Sequence, residues 1–153
     1  MKAIILITLL CGILNAEWTF TTKELRAITK EQKEVLKMAM LVGKENGLGL
    51  TLAKIAIVET RLGKIRTSDR RWCGATQVST KYAKVPCKVL EKNHYVAMKT
   101  AAKNFKGWLK KYDNNMKKAY SGYNSGGLKN NKITREYHKR LKIVDEVLRK
   151  EFG

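Results

Sequence analysis

Apolar residues recur at steps of three and four along most of this chain, and the pattern predicts a mainly α protein. From Thr29 to Val42 the positions Val35, Leu36, Ala39, Met40 and Val42 share one face. Thr29 with Gln32 three residues on forms a capping box, and Gly43 with Asn46-Gly47 is read as the stop. The next segment is apolar on nearly every side: Leu50, Leu52, Ala53, Ile55, Ala56, Ile57 and Val58, interrupted by Thr51 and Lys54. Such a helix belongs in the centre of a fold. Gly63 is its expected end. Residues 64–92 lack a clear helical period and hold the one proline, Pro86, so short irregular pieces are expected there. From Asn93 to Asp113 the period returns through Ala97, Ala101, Phe105, Trp108 and Tyr112, read as one buried stripe. A shorter helix over Met116 to Tyr123 ends at Ser125-Gly126-Gly127. The last runs from Thr134 to about Phe152 on Tyr137, Leu141, Val144 and Leu148. No strand shows convincing alternation.

Within this pattern one polar residue is out of place. Glu59 sits in the last turn of the all-apolar helix, where desolvation disfavours its ionised form. The negative end of the helix macrodipole acts in the same direction. Both effects keep a carboxylic acid protonated near neutral pH, which is the profile of a general acid. The competing reading is a glutamate that emerges into solvent or pairs with Arg61 or a lysine.

Composition narrows the setting. The 153 residues suffice for one domain, and 32 basic against 13 acidic residues give a net charge of +19. A hydrophobic content of 44% is too high for a disordered polycation. No apolar run reaches the 18 or more residues of a membrane-spanning helix. Lys2, the uncharged run Ala3 to Leu14 and Asn15-Ala16-Glu17 have the layout of a signal peptide over residues 1–16. A buried N-terminal helix is the alternative; a lipoprotein signal ending at Cys11 is disfavoured by the bulky Leu10 before it. Residues 17–153 then form the mature domain, charged +18, with a periplasmic or extracellular destination. Cys73 and Cys87 remain as an even pair, either bridged or as two free thiols. His94 and His138 have no ligand spacing to either cysteine, so no metal site is expected.

Four short stretches carry a resemblance. Glu59-Thr60 stands at the end of a helix, followed by Gly74-Ala75-Thr76-Gln77-Val78, Gly122-Tyr123-Asn124-Ser125-Gly126 and Thr134-Arg135-Glu136-Tyr137. In this order they resemble the motifs of the soluble lytic transglycosylases: Glu-Ser, Gly-Leu-Met-Gln-Ile, Ala-Tyr-Asn-Ala-Gly and a tyrosine early in the closing helix. Gln77 follows Glu59 by 18 residues, a spacing usual in that family. The likeness runs from about Thr29 to about Val144. Thr60 keeps the hydroxyl of the usual serine; Thr76, Ser125 and Thr80 replace a methionine, an alanine and a proline. The cysteines flanking the second motif are not a general family feature and are read as a local staple.

The resemblance implies a lysozyme-like fold and non-hydrolytic cleavage of the β-1,4 bond between N-acetylmuramic acid and N-acetylglucosamine in peptidoglycan. It implies no cofactor. Glu59 is the implied acid and base. Thr60, Gln77, Tyr123, Asn124 and Tyr137 are the implied substrate-binding set: Tyr123 near the acid, Asn124 on the acetamido group, Gln77 on the cleft wall and Tyr137 positioning Glu59. Ordinary glycosidases use two carboxylates; between Glu59 and Tyr112 only Asp69 and Glu91 are other acids, and Asp69 stays open as a second acid of a hydrolase. The expected partners are peptidoglycan strands, anionic envelope polymers, and a secretion or bacteriophage machinery. A monomer without nucleic acid is expected. The alternatives are a goose-type lysozyme or endolysin on the same bond, and a non-catalytic basic binder of wall polymer or nucleic acid.

Overall fold

The computed structural model describes residues 17–66 and 69–153, so the signal-peptide reading of residues 1–16 lies outside the described residues. The fold is mainly α. Its helices are α1 Thr22–Arg26, α2 Lys30–Glu45, α3 Thr51–Thr60, α4 Thr80–Ala83, α5 Cys87–Lys92, α6 His94–Lys111, α7 Met116–Ser125 and α8 Lys132–Phe152. Two short strands, β1 Trp72–Cys73 and β2 Val78–Ser79, form an antiparallel hairpin with Trp72 opposite Ser79 and Cys73 opposite Val78. Among the described residues no helix is long and apolar enough to cross a membrane.

The all-apolar segment becomes the central helix. In α3, Leu52, Ala53, Ile55, Ala56 and Ile57 are completely buried, with α2 and α8 packed on either side and α6 also in contact. Lys54, its one charged interruption, reaches Asp145 on α8 at 2.9 Å. The capping boxes form as their sequences dictate: Thr29 with Gln32 opens α2, and Thr21 with Glu24 opens α1. Helix α1 has five residues, too few for a period to be legible. The final stripe, Tyr137, Leu141, Val144 and Leu148, is buried throughout.

Two helix ends differ in detail from expectation. Asn46-Gly47 ends α2, which runs to Glu45 with Asn46 as its C-cap, while Gly43 stays inside the helix. A Cβ at Gly43 would collide with the Gly49 carbonyl oxygen, so this glycine permits a close backbone approach. Likewise α3 stops before Gly63. Arg61 and Leu62 already take left-handed φ values of 49° and 61°, and Gly63 follows at 84°.

The loop segment is closed by a Cys73–Cys87 disulfide with Cα atoms 5.4 Å apart. It ties β1 to the first residue of α5, across the hairpin that carries Gln77. Replacing both cysteines by serine is expected to cost about 3 kcal/mol, as chain entropy requires for a loop of this size. The midpoint of urea denaturation against that of the oxidised protein measures it.

Candidate active site

Glu59 lies one residue from the end of α3, and the chain around it is fastened at several points. Thr60 donates its hydroxyl to the Ala75 carbonyl at 2.7 Å and accepts from the Gly63 N–H at 2.7 Å. Gln32 on α2 donates its amide to the Arg61 carbonyl at 2.8 Å. The Arg61 guanidinium bonds the Thr19 carbonyl at 2.7 Å and pairs with Glu24 at 3.0 Å. Its Cζ lies 5.1 Å from the Trp18 ring centroid. These contacts hold two successive non-glycine residues, Arg61 and Leu62, in a sparsely populated backbone region two residues after the acid, a strain that persists only where the surroundings over-determine it.

Thr60 is therefore a correction to the expected substrate set. Its hydroxyl is buried, with the residue 2% exposed, and both its donor and acceptor capacities are used inside the protein. It clasps the helix end to the hairpin instead of meeting a ligand.

Three of the other implied residues, Tyr123, Asn124 and Tyr137, converge from separate elements. Tyr137 on α8 and Asn124 on α7 both act on the Glu59 carboxyl, and Arg140, one turn beyond Tyr137, adds an attractive charge. Burial outweighs all three and raises the Glu59 pKa from 4.5 to about 7. Tyr123 on α7 donates its hydroxyl to the Thr76 carbonyl at 3.0 Å. Burial and the nearby Glu59 charge raise the pKa of this phenol, and burial with that same charge raises Tyr137's. The Tyr137 hydroxyl and the Asn124 side-chain oxygen are buried without completing a hydrogen bond of standard geometry. In a free enzyme such bonds are often long and tighten around substrate.

Next to this cluster runs a groove of about 550 Å³. Its walls come from the hairpin and α4 (Trp72, Val78, Ser79, Tyr82), one face of α6, and Gly122, Tyr123 and Gly126 of the α7 region. Glu59 does not line this groove. Tyr123 belongs to both places, lining the groove while lying within the field of the acid. Trp72 and Tyr82 are 42% and 76% exposed, open enough to offer their rings to a ligand. Among the described residues no Asp or Glu lines the groove.

Gln77 is placed elsewhere. It sits at φ 50° in the hairpin turn, donates its amide to the Gly74 carbonyl at 3.0 Å, and lines a small crevice of about 40 Å³ beside Gly63 and Ala75. Trp72 is common to that crevice and the groove.

Sequence periodicity missed the groove face of α6. Trp108 and Tyr112, expected in the buried stripe with Ala97, Ala101 and Phe105, are only half-buried. They stack on each other with ring centroids 5.9 Å apart and planes 12° apart. Trp108 lies flat against Gly122, where a Cβ would come within 2.6 Å of the indole. The available signal was a second stripe on the same helix, Thr100, Lys103, Asn104, Gly107 and Lys111, also spaced by threes and fours.

The remaining acids of the loop are engaged. Asp69 pairs with Arg71 at 2.7 Å, which holds its carboxyl below the usual range, and Glu91 pairs with Arg70 at 2.7 Å. Cys73, Cys87 and Glu91 bring their ligand atoms within 4.8 Å of one another. The two sulfurs are bonded to each other, so no thiolate is offered to a metal there.

Comparisons with protein-family models, with curated proteins and with solved structures find no match to this chain.

Proposed function

We propose that the protein is a peptidoglycan lytic transglycosylase with a lysozyme-like fold, exported to the cell envelope, in which Glu59 acts alone as acid and then as base. The observation that carries the reading is the half-buried, desolvated Glu59 carboxyl beside Tyr137 and Asn124, next to an aromatic groove that has no second acid among its described lining residues. The stretches that carry Asn124 and Tyr137 meet at this group, and the Gly74–Val78 stretch joins them through Thr60 and Tyr123, with Gln77 lining a separate crevice.

The chemistry follows from the proton. Glu59, protonated near neutral pH, donates to the glycosidic oxygen as the C1–O bond breaks, and the N-acetylglucosamine leaves as an alcohol. The acetamido group of the muramic acid stabilises the oxocarbenium-like centre, with Asn124 suited to hold it. The Glu59 carboxylate then takes the proton of the 6-hydroxyl while O6 bonds to C1. The product is a 1,6-anhydro sugar, no water is consumed, and Glu59 ends protonated as it began. Low polarity favours the first step, and Tyr137, Asn124 and Arg140 steady the carboxylate for the second.

A hydrolase would need a group to activate water; Asp69 is held by Arg71 and does not line the groove. Mass spectrometry of muropeptides released from purified peptidoglycan separates the two outcomes. Anhydro-muramyl ends are expected. Reducing ends would replace this reading by that of a lysozyme-type hydrolase, and intact wall beside salt-dependent DNA binding by that of a basic binder.

A further inference from the structure

The residues just before α1 form a strap across the end of the acid's helix. Trp18 and Phe20 stack with ring centroids 6.4 Å apart and planes 22° apart, and Phe20 is buried. Between them, the Thr19 carbonyl accepts from the Arg61 guanidinium at 2.7 Å. The Arg61 Cζ lies 5.1 Å from the Trp18 ring centroid and 5.9 Å from that of Phe20. Arg61 is the left-handed cap of α3, two residues after Glu59. The strap is therefore pinned to the helix end that carries the acid.

Trp18 also holds a second guanidinium. Arg140 on α8 places its Cζ 5.4 Å from the same ring. The two arginines differ in what answers their charge. Arg61 pairs with Glu24 at 3.0 Å. Among the described residues Arg140 is in no ion pair, and its Nε is buried without a hydrogen-bond partner. Stacking on the indole is what keeps this long, rotamer-rich side chain in place. Two acids lie within the field of its charge, Glu136 and Glu59. Glu136 is taken by Lys139 at 2.9 Å, which leaves Glu59. Among the described residues the titratable or charged groups acting with Glu59 are Tyr123 from α7 and Tyr137 and Arg140 from α8, with Arg140 the cation among them. The other helices packed on α3, α2 and α6, add none. Trp18 itself lines neither the groove nor the crevice.

We infer that Trp18 is a positioning residue: its ring clamps the Arg140 guanidinium beside the Glu59 carboxyl, where the cation steadies the carboxylate each time the proton leaves. The inference rests on the proposed function and adds to it the part of the chain that keeps the cation in place. An unstacked guanidinium would turn toward water, where its field is screened.

Carbon-13 titration of the Glu59 carboxyl in the free, disulfide-bonded protein reads the clamp without turnover. Arg140→Gln is expected to raise the midpoint by about one unit, as removal of a nearby opposite charge does. Trp18→Leu keeps apolar volume but no π face; it is expected to raise the midpoint by about half a unit, because the cation is released rather than removed. Trp18→Phe restores most of the wild-type value, since it keeps a ring for the guanidinium. Arg140→Lys is expected to resemble Trp18→Leu, because an ammonium lacks the planar face, and it tests the stack even where Trp18→Leu fails to fold. With Arg140 already glutamine, Trp18→Leu should move the midpoint no further. On soluble strands at pH 6, Trp18→Leu should lower kcat about threefold to tenfold with KM within about twofold, as loss of an interaction made in the transition state does.

A midpoint unmoved by Trp18→Leu or by Arg140→Lys overturns the clamp. A shift from Trp18→Leu that persists in the Arg140→Gln background overturns it too, and a rise in KM at constant kcat would make Trp18 a ligand contact instead. Midpoints that move in a protein that leaves peptidoglycan intact keep the clamp and defeat the proposed function. Unmoved midpoints in a protein that cleaves the wall defeat the clamp alone.

Discussion

Glu59→Gln is expected to lower the rate of wall cleavage by about 10³-fold or more, since general acid–base catalysis contributes roughly 10²–10⁴ and here one residue serves both steps. The same substitution is expected to stabilise the protein at alkaline pH. With a pKa raised from 4.5 to about 7, the folded state holds the Glu59 proton more tightly than the unfolded state does. The associated stability is fully present below pH 4.5 and is lost as pH rises through about 7. Wild type therefore carries a desolvated carboxylate above neutrality at a cost of about 3 kcal/mol, from roughly 1.4 kcal/mol per pKa unit. Glutamine does not titrate. The stability difference between variant and wild type should grow by that amount from pH 4 to pH 8, or roughly 10 °C in melting temperature for a domain of this size. Urea denaturation at the two pH values measures it. A difference independent of pH would mean that Glu59 titrates like an exposed glutamate.

The second large effect is on the pH dependence of catalysis. Because the reaction starts from the protonated acid, kcat/KM should be level below about pH 6 and fall tenfold per unit above about 7, where Glu59 ionises. Tyr137 favours the carboxylate, so Tyr137→Phe should move the midpoint of that fall to higher pH even as the rate at pH 6 declines. Loss of packing alone would lower the whole profile without moving it. Rates on soluble strands from pH 5 to 10 distinguish the two. A profile that rises through pH 7 would assign the first proton transfer to another group.

The helices were legible because their apolar stripes are long, and Glu59 was legible because a charge at the end of an apolar run stands out. The convergence of remote stretches was legible only through their likeness to known motifs: no local pattern shows that Tyr123 would donate to the carbonyl of Thr76, 47 residues earlier in the chain. Other features depend on partners that a linear reading lacks. The resemblance implies a ligand contact for Thr60, whose hydroxyl meets the Ala75 carbonyl and the Gly63 N–H. Gly43 looked like a helix stop because the sequence does not reveal that Gly49 presses against it. Trp108 fell into the core stripe by spacing, yet its ring is needed on the neighbouring face, stacked on Tyr112 and resting on Gly122. Periodicity identifies a helix more readily than it tells which of two adjacent faces a groove will take.

The most direct measurement is a carbon-13 NMR titration of the Glu59 side-chain carboxyl in the free protein, assigned by its disappearance in Glu59→Gln. A midpoint near 7 is the predicted result. A midpoint in the ordinary range of about 4.3 would leave no proton on this group at neutral pH and would contradict the account.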